Sequence, residues 1–384
     1  MRIELPYGRA PYPLELDGTR VTVVPPPRMP APPPLVPMLE DALAAPIGTP
    51  SLATLAAGAR RITIIVSDGT RQEPRAEILA ALRPHLPPAA ALTVAIATGT
   101  HGPAPDLAAL GLPSTLDATV VNHDGHRPDD LVTLGTTTRG TPVRVHRCVV
   151  DTDLVIATGC IRPHYFAGFG AGVKAVFPGL GEAAAIRTNH ALKTAPGARA
   201  GVIEGNPCRE DLEEAVAQVP TPMFLLNAVA GPDGAVHALV AGDLRRAFRA
   251  GAERARGWFT VHAAPAPVVV ASDALPVTAT LYQAAKICAA VAPVVEPGGA
   301  LVLVAECPDG IGPLPIVNEA IFRIGVLPRL APGVTIHLVS ALSPSKVACT
   351  LTDHAASVEA VLHDRPGRVT IFPRASQLLV EATP

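Results

Sequence analysis

The sequence predicts an α/β protein of two domains built on mainly parallel sheets, and three observations predict it. Its 384 residues exceed what one hydrophobic core usually holds. Short, continuous aliphatic runs alternate with helical patterns, as strands covered on both faces do. The tetrapeptide Ile-Ala-Thr-Gly closes two of those runs, at 96–99 and 156–159, so the same strand-to-loop unit recurs.

Taken in order, Arg61 to Val66 is a β-branched strand that ends in Ser67-Asp68-Gly69-Thr70-Arg71, followed by a helix from about Ala76 to Leu82. Leu92 to Ala97 repeats the pattern and ends in Thr98-Gly99-Thr100-His101. Leu154 to Ala157 repeats it again, ending in Thr158-Gly159 and running on to His164. In open α/β sheets ligands bind beyond the carboxyl ends of the strands, so Asp68, Thr70, Arg71, His101 and His164 are expected at one rim. His85, His123, His126 and His146 have no such placement and are read as ordinary polar side chains.

The run Arg162 to His190, RPHYFAGFGAGVKAVFPGLGEAAAIRTNH, carries the densest signal. Glycines at 168, 170, 172, 179 and 181 offer nothing to a core, so their clustering points to a backbone that turns tightly or approaches a ligand. Lys174 is the one charged side chain between Arg162 and Glu182, and Asn189-His190 closes a helix from Glu182 to Lys193. Neither common phosphate loop fits. Val173 and Ala175 flank Lys174 where a Walker A loop needs glycine and a hydroxyl, and strict alternation of Gly168, Gly170 and Gly172 breaks the dinucleotide spacing.

A second alternating segment begins near Pro265, with strands at Val268–Ala271, Ala300–Ala305, Val334–Leu338 and Val369–Phe372 and a helix from about Thr278 to Val294. That helix carries Tyr282, Gln283 and Lys286, whose i,i+3 and i,i+4 spacings set them on one face.

Composition narrows the function classes. Aromatics are 3% and charged residues 17%, with a formal net charge of −2, which gives no electrostatic footprint for nucleic acid or an anionic membrane. A small-molecule substrate is the expectation. The six cysteines, at 148, 160, 208, 288, 307 and 349, form no C-x-x-C pair and favour a reducing, cytoplasmic setting. The N-terminus has no apolar signal core, and no hydrophobic stretch reaches spanning length.

Together, Ser67-Asp68-Gly69-Thr70-Arg71, Thr98-Gly99-Thr100-His101, Pro163-His164, Ala167-Gly168-Phe169, Gly172, Lys174, Pro178-Gly179, Asn189-His190 and Tyr282-Gln283-x-x-Lys286 resemble the nickel-dependent lactate racemase family of 2-hydroxyacid racemases and epimerases. The resemblance implies two α/β domains with the active site in the cleft between them. Residues 1–260 would form the cofactor-binding and catalytic domain, and 261–384 would contribute substrate-binding residues. The implied cofactor is a nickel-pincer pyridinium nucleotide, made by cofactor-biosynthesis proteins and either covalently linked to Lys174 or tightly bound. It would take a hydride from C2 of the 2-hydroxy acid and return it. By resemblance His190 is the metal ligand, and Asp68, Thr70 and Gly172 lie with Lys174 around the cofactor. His101 and His164 form the acid/base pair, and Arg71, Tyr282, Gln283 and Lys286 meet the substrate.

That pair makes chemical sense, because racemisation works on both faces of one carbon and histidine titrates near neutral pH. The chain departs from the family pattern at Gly170-Ala171-Gly172, where Ser-Gly-Gly is general, and at Gln72, where proline is common. Trp258, the single tryptophan, leaves no candidate for a tryptophan lid from the second domain. Two other functions are compatible with the same residues: a zinc- or iron-dependent hydrolase using His101, His164 and His190, and a non-catalytic carrier of the nickel nucleotide.

Overall fold

The structure, a computed structural model, describes residues 1–71, 73–113 and 117–383; Gln72 lies outside the described residues. The chain divides into two compact units, Met29–Trp258, and Met1–Arg28 together with Phe259–Pro384.

The first unit is built on a six-stranded sheet in the order Val236–Gly242, Met223–Ala230, Leu154–Ile161, Arg61–Ser67, Ala91–Ala97, Thr119–Asn122. All neighbours are parallel except the antiparallel edge pair of Val236–Gly242 with Met223–Ala230. The aliphatic runs form strands because both faces are covered. Ile62, Ile64 and Val66 join Val94, Ile96 and Ile156 in one core, while Ile65, Val155 and Ala157 are buried on the opposite face.

Chain order reverses between Arg61–Ser67 and Leu154–Ile161, which makes that pair the topological switch point of the sheet. The two strands pair only from Ile62 with Leu154 to Ile65 with Ala157. Beyond that point Leu154–Ile161 does not stop at Thr158-Gly159, as its loop-like composition suggests, but runs on to Ile161. Its other neighbour supplies the reason, because Leu226 to Val229 continue the pairing from Thr158 to Ile161. A crevice therefore opens on one side of a strand that is still held on the other.

The second unit carries a wholly parallel six-stranded sheet in the order Asp353–His354, Thr335–Val339, Val295–Val304, Ala266–Ser272, Val369–Phe372, Val21–Val23. Residues 1–28, which the sequence assigns to the first domain, instead belong here. Val21 and Val23 pair with Val369 and Ile371, a contact too distant in the chain to leave any local pattern. The helix expected from Thr278 starts at Leu281, after Thr280 caps it by accepting from the backbone N–H of Gln283. Val295–Val304 begins earlier than its aliphatic run because Pro297-Gly298-Gly299 is carried as an irregularity, the pairing jumping from Ala266–Val295 to Val268–Ala300. All six cysteines are free. Among the described residues no helix is long and apolar enough to cross a membrane.

Candidate active site

The switch-point crevice is a pocket built entirely from the Met29–Trp258 unit. Asp68 and Arg71 reach it from the loop after Arg61–Ser67, and His101 from the loop after Ala91–Ala97. His164 follows Leu154–Ile161, Lys174 sits in the glycine-rich segment, and His190 lies in the last turn of the helix Ala183–Ala191. Thr70 and Gly172 stand just outside this lining. Thr70 acts through Asp68, donating its backbone N–H at 3.0 Å and its hydroxyl at 2.5 Å to Oδ1. Gly172 has φ +64°, and a Cβ there would stand 2.6 Å from the Phe248 ring and 2.7 Å from Arg209 Nη2, so only glycine lets the segment pass.

The two histidines of the expected pair have different backing. His101 Nδ1 lies 2.6 Å from Asp68 Oδ2, so it donates to the carboxylate and leaves Nε2 as the nitrogen free to accept a proton. Burial works to raise the Asp68 carboxyl, but the hydrogen bonds from His101 and Thr70 outweigh it and hold it below the ordinary carboxylate range. His164 has the reverse arrangement. Its Nδ1 accepts from the backbone N–H of Ala167 at 3.3 Å, which places the proton of the neutral ring on Nε2.

Lys174 and His190 are both held toward their neutral forms. Burial, then the nearby Arg209 and Arg71 cations, lower the Lys174 ammonium to about 7. Desolvation, then Lys174 and Lys193, lower His190 to about 3. Phe166 organises these groups: its ring centroid lies 4.8 Å from His164 and 4.9 Å from His190, both edge-on, and 5.8 Å from Lys174 Nζ.

Several residues of the site have no assigned role in the sequence. Arg75 donates to the carbonyls of Ser67, Asp68, Arg71 and Leu110, gripping the Asp68–Arg71 loop from beneath. Glu73, buried beside it, accepts from Ser67 N at 2.6 Å and from Thr158 Oγ1 at 2.6 Å, tying the two switch-point strands together. Burial pushes its carboxyl up despite these bonds. Neither leaves a signal in the sequence, since Glu73 and Arg75 stand in the polar run from Ser67 to Glu77, where charged side chains are ordinarily exposed.

Ala171 is the other surprise. It lines the pocket at φ +61° and ψ −158°, a conformation largely reserved for glycine, at the position where the family pattern has one. Gly159 makes room for it, since a Cβ on Gly159 would stand 3.1 Å from that of Ala171.

Tyr282, Gln283 and Lys286 lie in the other unit, on the helix Leu281–Val291. They do come together there: Lys286 Nζ donates to Gln283 Oε1 at 2.7 Å and stands 4.5 Å from the Tyr282 ring centroid.

A mainly parallel α/β unit with three histidines, a lysine and an arginine gathered at its switch point defines a ligand-binding protein of the doubly wound class. Comparison with known proteins specifies which. Residues 7–201 match the family model of the lactate racemase N-terminal domain. A lactate racemase from Thermoanaerobacterium thermosaccharolyticum is 32% identical over 324 residues, 81% of this chain and 75% of that one. One from Lactiplantibacillus plantarum is 29% identical over 283 residues, 71% and 66% of the respective chains. The solved lactate racemase apoprotein from T. thermosaccharolyticum superposes with a TM-score of 0.86 at 26% identity, over 99% of this chain and 100% of that one. The chain belongs to the lactate racemase family.

Proposed function

We propose that this chain is a racemase of a short 2-hydroxy acid of the lactate type, working with a nickel-pincer pyridinium nucleotide. The observation that carries this reading is the gathering of Asp68, Arg71, His101, His164, Lys174 and His190 around one switch-point pocket. The names of the relatives support the reaction class.

The residues present fit the nucleotide. A lysine with its ammonium lowered to about 7 has a substantial free-amine population at neutral pH, suited to bonding an acyl-type carbon of the cofactor. His190 Nδ1 is 3.1 Å from Asn189 Oδ1, which leaves the Nε2 lone pair of a neutral ring for a metal. When bound, the nucleotide supplies an acceptor that takes a hydride and gives it back. The chain does the rest. Arg71 holds the substrate carboxylate, its guanidinium matching two oxygens. His101 takes the hydroxyl proton at Nε2, the adjacent Asp68 stabilising the imidazolium that results. His164 serves the opposite hand only after its Nδ1 leaves the Ala167 N–H and takes up the ring proton, which turns Nε2 from donor to acceptor. The assignment of Tyr282, Gln283 and Lys286 to the substrate rests on the family resemblance, as does dependence on proteins that make the cofactor.

Of the rival functions, the hydrolase needs three ligands around one ion. Among the described residues no group of three His, Cys, Asp or Glu side chains is placed to hold a metal. A mere carrier has no use for the short Asp68–His101 pair.

The test uses protein purified from cells able to make the nickel cofactor, with enantiopure lactate deuterated at C2. Interconversion with the label kept in both hands is expected. Washout before equilibrium defeats the hydride route, and failure to racemise any acid in a panel of short 2-hydroxy acids defeats the activity.

A further inference from the structure

His190 is backed by an amide and a carboxylate that have no part in the reaction described above. Asn189, fully buried, donates both amide hydrogens, one to Asp211 Oδ2 at 2.7 Å and one to the Cys208 carbonyl at 3.1 Å. With the NH2 group committed to two acceptors, the orientation of the amide is settled and its oxygen must face His190. That oxygen can only accept, so the His190 nitrogen 3.1 Å away is a donor. Asp211, also fully buried, is fixed in turn by the hydroxyls of Thr137 and Thr141, and the Thr137 hydroxyl accepts from the Thr141 backbone N–H at 3.0 Å. Every member has its partners, as a rigid buried network requires. The hairpin strands Leu131–Thr136 and Pro142–His146, whose connecting turn carries both threonines, are thereby tied to the helix Pro207–Ala217 that carries Asp211 and to the helix that carries His190.

We propose that Asp211 and Asn189 are positioning residues that act in series, locking His190 as the tautomer protonated at Nδ1 with its Nε2 lone pair committed to the pocket. Metal-bound histidines are often held by a carboxylate directly. Here a neutral amide stands between, so the imidazole is oriented without a negative charge beside it. The inference rests on His190 being the nickel ligand for its purpose, but the tautomer itself is a property of the protein without metal.

Long-range 15N–1H correlation spectra of apoprotein labelled at histidine nitrogens test it, with the His190 signals assigned by their loss in His190→Gln. The wild type is expected to show Nδ1 protonated and Nε2 bare. Asn189→Ala, and more mildly Thr141→Val, are expected to convert His190 to the other tautomer or to a mixture. The holoprotein of Asn189→Ala is expected to bind nickel about 10- to 100-fold more weakly, read by chelator challenge. A wild-type ring protonated at Nε2 overturns the proposal even if neither variant folds, and so does an unchanged ring in a folded Asn189→Ala. Full nickel occupancy in His190→Ala, by contrast, removes the metal assignment and leaves the tautomer result standing.

Discussion

Lys174 has an electrostatic consequence that stability measurements can read. Its folded-state value of about 7 lies below the ordinary 10.5, so folding favours the neutral amine. The cost of burying the charge is fully present below pH 7 and disappears as pH rises from about 7 toward 10.5, the window in which the unfolded chain holds the extra proton. Lys174→Met apoprotein should therefore be more stable than wild type at pH 6, with the gap closing by pH 10 in urea midpoints. A gap that does not change with pH contradicts a neutral lysine. Ala171 stores a different strain. Ala171→Gly releases a glycine-only conformation worth about 1–3 kcal/mol and loses about 0.4–1 kcal/mol to unfolded-chain entropy, so a net gain near 1 kcal/mol is expected at unchanged denaturant slope. Residues of this kind divide by legibility. Asp68, Arg71, His101, His164, Lys174 and His190 are readable because polar side chains follow aliphatic runs or interrupt glycines. Phe166 and Asp211 are not, since their importance lies in contacts with residues more than twenty positions away, Phe166 with the His190 ring at 4.9 Å and Asp211 with the Asn189 amide at 2.7 Å.

Among the elements, the loop after Arg61–Ser67 depends on what lies under it. Four carbonyls of the surrounding backbone lean on one guanidinium, and that guanidinium stands 3.8 Å from the buried Glu73. Arg75→Met should cost about 3–5 kcal/mol, the range for breaking a buried ion pair on one side. It should also raise KM for substrate as the loop loosens around Arg71. Wild-type stability in that variant would show that water replaces the guanidinium without loss. The strands Arg61–Ser67, Ala91–Ala97 and Leu154–Ile161 were legible from their aliphatic runs, their ends were not, and their sheet partners Met223–Ala230, Val236–Gly242 and Thr119–Asn122 were not anticipated. The same four residues, Ile-Ala-Thr-Gly, end one strand and continue another, because only the second has Met223–Ala230 alongside it.

At the scale of the molecule, the pocket-bearing unit is an insertion into the other one. Its sequence enters after Arg28 and leaves before Phe259, while the strand Val21–Val23 and the strand Val369–Phe372 close the same sheet. Residues 29–258 expressed alone are expected to fold cooperatively, with one urea transition, whereas 259–384 alone should expose the edge that Val21–Val23 covers and aggregate. A soluble, cooperative 259–384 would show that the N-terminal strand is dispensable. Two parallel α/β sheets were legible from alternation. The interleaving was not, because a three-residue strand says nothing locally about a partner near residue 370.

The unequal backing of His101 and His164 bears on the whole catalytic cycle. Mirror-image substrates have equal free energies, so the Haldane relation fixes kcat/KM to be the same for both hands at every pH. A carboxylate behind one histidine and a backbone N–H behind the other cannot break that equality. It can only redistribute it: the hand whose proton His101 takes should show the higher kcat together with a proportionally higher KM. Asp68→Asn should bring the two hands closer together while lowering turnover by about 10² to 10⁴. Progress curves started from each pure enantiomer would then differ in curvature though never in endpoint, which makes the bend of the curve a direct reading of an asymmetry that the equilibrium conceals.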